Sequence, residues 1–170
     1  MAQPKMKESA TAQLEAPRFE DGKALLIAGL RRVYAPGEMN GIPAQWQSFA
    51  PRIGRIAGQI GRATYGVCWQ TRNGEGIEYL SGVEVSGFAG VPSDFTVVSL
   101  PPTQYAVFPH REQVMKLRDT IDAIFHNWLP ASGHAACCNA EAPAFFERYG
   151  EEFDPRTGMG GMEVWIPLKS

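Results

Sequence analysis

Glu163 lies in Gly160-Gly161-Met162-Glu163-Val164-Trp165-Ile166-Pro167-Leu168, a short apolar run opened by two glycines and nearly closed by a proline. Its β-branched and aromatic content predicts a strand. Side chains alternate across a strand, so Glu163 and Trp165 share one face and Val164 and Ile166 the other. If the aliphatic residues face the core, an acid and an indole face something else together. A carboxylate ringed by aromatic groups can hold a lipophilic cation through Coulomb and cation–π attraction, or work as a general acid or base. At a strand edge the same carboxylate would only pair with an arginine or with water. Glu147 and Tyr149 form a second such pair, since Phe145, Glu147 and Tyr149 alternate with Phe146 and Arg148. Glu163, Glu147 and Tyr149 are therefore the candidate catalytic groups.

Other reactive side chains fit no established pattern. Glu78 reads as structural. His110 falls between a strand and a helix, where capping or exposure suits it, and His126 falls opposite an apolar stripe and should be solvated. Cys68, Cys137 and Cys138 form no CxxC pair, and His134 ahead of Cys137 is at most half a site, so no metal and no cofactor are expected. Nucleophile-elbow, P-loop and dinucleotide-binding patterns do not occur, and Gly158-Met159-Gly160-Gly161 precedes a strand where a phosphate cradle needs a helix.

Composition narrows the class. The 170 residues suffice for one well-buried domain, and 44% hydrophobic with 20% charged residues is ordinary for a globular chain. A formal charge of -2, from 16 basic and 18 acidic residues, argues against a phosphate-backbone binder. Arg52, Arg55 and Arg62 lie along one predicted helix and read as its solvated face. An odd cysteine count without a signal peptide points to a reducing cytoplasm, and no apolar run approaches the ~20 residues of a membrane span.

The elements that must position the two acids follow in order. Met1 to Pro17 is polar and aperiodic and is expected to be a disordered tail, leaving 18–170 as a single domain. Phe19 to Tyr34 predicts a buried strand. Ile42, Trp46, Phe49, Ile53, Ile56 and Ile60 recur at helical intervals, with Pro43 in the first turn and Gly54 and Gly58 weakening the second half. Thr64 to Gln70 and Gly76 to Ser86 predict strands around the Asn73-Gly74 turn. Phe95 to Leu100 and Tyr105 to Pro109 predict one long strand or two, divided by Pro101-Pro102. Val114, Leu117, Ile121, Ile124, Phe125 and Trp128 mark a helix ending near Leu129-Pro130. Pro143 to Glu152 and the final run complete the set. The order strand, helix, strand, strand thus occurs twice, and Gly76-Ile77-Glu78-Tyr79 matches Gly161-Met162-Glu163-Val164 in register. An α+β fold is expected, with two pseudo-symmetric units forming an antiparallel sheet with two helices.

Several stretches taken together resemble the GyrI-like small-molecule-binding family, which includes effector-binding domains of AraC-type and MerR-type regulators. They are Tyr65-Gly66-Val67, Tyr79-Leu80-Ser81-Gly82-Val83-Glu84-Val85, Pro101 through Phe108, Trp128-Leu129-Pro130-Ala131-Ser132-Gly133, Phe146-Glu147-Arg148-Tyr149, and Met162 through Leu168. The resemblance covers about residues 19–168. It implies a ligand groove between the two units, with Glu163 at the position where the family carries a cation-contacting glutamate on its last strand. Candidate contacts are Glu163, Trp165, Glu147, Tyr149, Tyr65, Tyr79, Tyr105, Trp128 and Trp46. It further implies a small-molecule partner, lipophilic and cationic or neutral, bound for sensing, sequestration or drug resistance. Family members that hydrolyse cyclopropane-containing compounds, or protect DNA gyrase, supply the alternatives. The regulators' helix-turn-helix pattern does not occur, so direct nucleic-acid binding is not expected.

Overall fold

The computed structural model describes residues 14–71, 73–137 and 142–169. Most of the expected tail, residues 1–13, lies outside these, as does Cys138. The described end of the tail is packed: Leu14 lies against an apolar cluster, and Glu15 pairs with Arg111 at 2.5 Å.

Eight strands form one antiparallel sheet: β1 (Arg18–Gly22), β2 (Leu25–Tyr34), β3 (Gln59–Gln70), β4 (Ile77–Val85), β5 (Thr96–Leu100), β6 (Thr103–His110), β7 (Phe145–Tyr149) and β8 (Met162–Pro167). Their order is β1-β6-β8-β7-β3-β4-β2-β5. Read outward from the centre, each half repeats the other: β3, β4, β2, β5 on one side and β7, β8, β6, β1 on the other. The expected two units are present, and β3 pairs with β7 across the pseudo-dyad.

The predicted strand Phe19 to Tyr34 is broken at Lys23-Ala24, and its parts sit at opposite ends of the sheet. The same is true of β5 and β6 on either side of Pro101-Pro102. Yet the pairing register runs on unchanged, with Gly22 opposite Thr103 and Leu25 opposite Leu100. These two long strands are one ribbon, bent where two prolines offer no N–H to the ladder. Three residues of chain span at most ~11 Å, so the bend draws the two ends of the sheet together. The sheet therefore curls. Ile27, Tyr65, Val67, Leu80, Tyr105, Val107 and Phe146 are buried on its inner face, which carries neither helix.

Both helices lie on the outer face. Helix α1 (Ile42–Phe49) is shorter than the apolar spacing predicts. Pro51 cannot donate to the next helical turn, so the chain tightens to a 3₁₀ turn over Ala50–Arg52. Gly54 and Gly58, with φ of 86° and 77°, then carry the chain into β3. Ile53 and Ile56 still pack with Phe49 against Val83 and Val85, but from a loop. Arg52, Arg55 and Arg62 consequently do not share a helix face. Arg52 instead pairs with Asp94 at 2.5 Å and lies 4.1 Å above the ring of Phe95.

The second helical segment runs through a 3₁₀ turn (Val114–Lys116), α2 (Leu117–Ala123), a π-helical turn (Ile124–Trp128) and α3 (Leu129–Ser132). It passes Pro130 and ends at Gly133, whose φ is 77°. His110 is buried beneath its start, with Nε2 donating to the Gln113 carbonyl at 3.0 Å and Nδ1 hydrogen-bonded with Thr120 Oγ1 at 2.8 Å. No helix among the described residues is long and apolar enough to cross a membrane.

Helix α1 is fastened to the sheet by Gln45, a fully buried amide. Its nitrogen donates to the Leu30 carbonyl at 2.8 Å, the Tyr79 carbonyl at 3.1 Å and Ser81 Oγ at 3.2 Å. Its oxygen accepts from the Tyr34 hydroxyl at 2.6 Å. Gln45→Ala should lower the unfolding free energy by ~2–4 kcal/mol, because it leaves several buried polar groups unpaired and opens a cavity. Urea denaturation measures this, and a loss below ~0.5 kcal/mol would mean that the fastening is idle.

Candidate functional site

The pleat separates the two acids. In the β7–β8 ladder Glu147 stands opposite Val164, and Arg148 opposite Glu163. Glu163 and Trp165 therefore share the inner face with Arg148 and Phe146, while Glu147 and Tyr149 point outward with Val164, toward the helices. Val164 and Ile166 face the helix-side core, as their alternation predicts.

The inner-face residues are occupied with one another. Glu163 accepts from Arg18 Nη1 at 2.6 Å and from Trp165 Nε1 at 3.3 Å, and lies 3.9 Å from Arg148. Trp165 stacks on Phe146 with ring centroids 5.3 Å apart, and Tyr105 meets both rings edge-on. Tyr65 closes this group against Phe146 at 5.8 Å. The matching strand of the other unit carries a related acid. Glu78 pairs with Arg31, whose guanidinium lies 4.3 Å above the Trp69 ring. The sequence repeat thus marks an arginine-paired acid at the equivalent position in each half of the inner face, although the arginines and indoles come from different positions. Trp128 stands apart from both acids, packed on Phe108 at 4.9 Å and stacked with His134 at 6.0 Å. The nine candidates do not form one site.

The outer face brings four of them together. Helix α1 lies over β2 and β4, and the second helical segment packs on β6 and β8. The central strands β3 and β7 run between them, and aromatic side chains cover this strip. Glu147 is only 7% exposed there. Its Oε1 accepts from the Tyr79 hydroxyl at 2.6 Å and from the Tyr149 hydroxyl at 3.4 Å. The Tyr79 hydroxyl in turn accepts from Trp46 Nε1 at 3.0 Å. Trp46 meets Tyr149 edge-on at 5.5 Å and Tyr79 at 6.4 Å. Three elements, α1, β4 and β7, thus converge on one carboxyl group.

Sequence reasoning missed two residues here. A Cβ added at Gly66 would stand 2.6 Å from Glu147 Oε1 and closer still to the Tyr79 hydroxyl, so this glycine makes room for their hydrogen bond. Cys68 lies in the same buried cluster as Tyr79, with Phe145 packed against it. Neither residue type signals this role at a distance.

Burial sets the electrostatics. Desolvation pushes the Glu147 carboxyl up to about 7, against the opposing pull of the two tyrosine hydroxyls. Burial, and then the nearby Glu147 charge, push the Cys68 thiol up to about 12. Burial likewise holds the Tyr79 and Tyr149 hydroxyls well above their ordinary range. No salt bridge to Glu147 exists among the described residues, and no group of three or more potential metal-ligating side chains does either. The site is a buried, uncompensated carboxyl under an indole.

A family model described as "GyrI-like small molecule binding domain" matches residues 15–169. No protein of curated function matches the sequence. Among solved structures, SAV2435 bound to tetraphenylphosphonium is similar with a TM-score of 0.73 and 20% identity, over 92% of this chain and 95% of that one. The EcmrR C-terminal domain is similar with a TM-score of 0.61 and 12% identity, over 93% and 99%. A hydrolase from Listeria innocua is similar with a TM-score of 0.52 and 13% identity, over 91% and 92%. At these identities the likeness shows a shared fold.

The raised Glu147 carboxyl makes stability depend on pH. Between 4.5, its ordinary value, and about 7, the unfolded chain has lost this proton and the folded chain retains it. Stability should therefore fall as pH rises across that window, by on the order of 3 kcal/mol from this group. Glu147→Gln should flatten that part of the profile and be the more stable protein at pH 8. Denaturation midpoints measured from pH 4.5 to 8 in both proteins test this, and parallel profiles would contradict it.

Proposed function

Since the chain belongs to the GyrI-like small molecule binding domain family, we propose that it binds a lipophilic cation between its two helices, with Glu147 as the counter-charge. One observation carries the reading. Glu147 is buried among aromatic rings, holds two tyrosine hydroxyls and has no cationic side chain paired with it among the described residues. A buried carboxyl of this kind is costly to the fold unless a partner of opposite charge arrives. Trp46, Tyr79 and Tyr149 are the walls such a partner would meet, through cation–π attraction and apolar contact. Tetraphenylphosphonium in SAV2435 is a ligand of this chemistry on a similar fold.

In this reading Glu163, Trp165, Tyr65 and Tyr105 stabilise the inner face, and Trp128 anchors the second helical segment. Residues 18–170 act as one ligand-binding domain, and its role is sensing or sequestration of such compounds in the cytoplasm. Hydrolysis is the second reading, and the same carboxyl favours it: an acid poised at about 7 beside two phenols suits proton transfer near neutral pH. It predicts that a strained cyclopropane compound gains the mass of one water on incubation with the parent protein and is left unchanged by Glu147→Gln.

Tetraphenylphosphonium should quench the tryptophan fluorescence of the protein in a saturable titration. Glu147→Gln should weaken that binding at least ~30-fold at pH 8, as expected for loss of a desolvated counter-charge. Glu163→Gln should change it less than about threefold, since its partners Arg18 and Arg148 lie on the other face of the sheet. Equal affinity for Glu147→Gln and the parent would refute Glu147 as the counter-charge.

A further inference from the structure

We propose that this site binds its cation in exchange for a proton, so that each cation entering beside Glu147 releases the carboxyl proton to solvent. The inference rests on the binding reading above and adds a stoichiometry to it.

The argument is geometric. Glu147 points into the strip between the helices from the centre of the sheet, and each element packed around it presents a group that is neutral. From β4 comes the Tyr79 hydroxyl, at 2.6 Å. From β7 itself comes the Tyr149 hydroxyl, at 3.4 Å. Strand β3 contributes Gly66, directly opposite Glu147 in the ladder, and the Cys68 thiol. Strand β8 places Val164 opposite on the other side. Helix α1 supplies the Trp46 indole, and from the second helical segment Phe125 reaches Phe145 at 6.0 Å. Every Arg–carboxylate pair found among the described residues involves another acid. A carboxyl so enclosed keeps its proton, because the buried site offers the anion hydrogen bonds but no compensating charge.

A quaternary cation brings that charge and has no proton of its own to give or take. On its arrival the Glu147 O–H bond breaks, the electron pair stays on the carboxylate oxygen, and the proton goes to buffer. No neighbour can keep it. Tyr79, Tyr149 and Cys68 are already protonated, all pushed upward by burial. The tyrosine hydroxyls, which already donate to Oε1, stabilise the new anion. Apparent affinity should accordingly rise about tenfold per pH unit while the free site is protonated and level off once it is not.

Isothermal titration calorimetry of the full chain with tetraphenylphosphonium tests the exchange. Binding heats are measured at pH 6 and again at pH 8.5, each in two buffers of different ionisation enthalpy. The slope against that enthalpy should report close to one proton released per cation at pH 6, and close to none at pH 8.5. Glu147→Gln, checked for folding by circular dichroism, should release none at either pH even where it retains weak binding. Tight binding at pH 6 without proton release would overturn the exchange and leave the binding reading intact. Failure of the parent protein to bind the cation at both pH values would overturn both.

Discussion

Pro101 and Pro102 sit where the sheet turns back on itself, and most of the architecture follows from that bend. Without amide hydrogens there, the ladder between the two long strands lapses, yet resumes in the same register on either side. The ends of the sheet are drawn together, and the inner face buries itself. A flat sheet of eight strands would need a second layer on each side to exclude water. Here the curl supplies one of those layers. Both helices are therefore free to occupy the outer face, one per unit, and the central strands are left between them. The two units meet along these central strands, through the β3–β7 pair.

The same bend explains why Glu163 and Glu147 have different environments despite lying on adjacent strands. Each is one residue out of phase with the other across the ladder. Inside the curl, Glu163 meets Arg18 from β1 and Arg148 from β7, and becomes part of an ion-paired rim above stacked aromatic rings. The other unit places Glu78 in the equivalent position, paired with Arg31 from β2. Glu147 has no such twin. Applying the pseudo-symmetry to the β3–β7 pair puts Cys68 in the corresponding place, and a thiol carries no charge there. This asymmetry at the centre of an otherwise repeated fold supports the role proposed for Glu147.

Much of this was legible in the sequence. Alternation identified β7 and β8 and correctly paired Glu163 with Trp165 and Glu147 with Tyr149. The repeat predicted the doubled strand-helix-strand-strand order, and the apolar stripe predicted the second helical segment. The register of Gly76-Ile77-Glu78 with Gly161-Met162-Glu163 placed two acids on equivalent strands. What alternation could not reveal is which face was which. It assumes one buried and one open face, and in a curled sheet under helices both are buried. An acid on either face then looks equally confined, and only the partners, arginines for one and phenols for the other, separate them. The first helix was over-extended for a related reason: Ile53 and Ile56 are buried from a loop at intervals that mimic a helix, and Pro51 outweighs that spacing. Gln45 and Gly66 were invisible because a polar amide and a glycine acquire their roles only from residues far away in the chain.

Gln45 and Trp46 are neighbours on α1 and divide its work. The Gln45 amide ties the helix to the backbone of β2 and β4. The Trp46 indole leans the other way, over the Tyr79 hydroxyl and the ring of Tyr149. The helix is thus held by one side chain while the cover over Glu147 is formed by another. An arriving aromatic cation would replace the edge-on contacts that Trp46 makes with Tyr79 and Tyr149, so the displaced packing is largely recovered. The Tyr79 hydroxyl, released from the indole, remains within reach of Glu147 as the carboxyl becomes charged. Trp46, the Tyr79 hydroxyl and the Glu147 carboxyl thus form a single chain of hydrogen bonds, the one along which the proposed exchange would act.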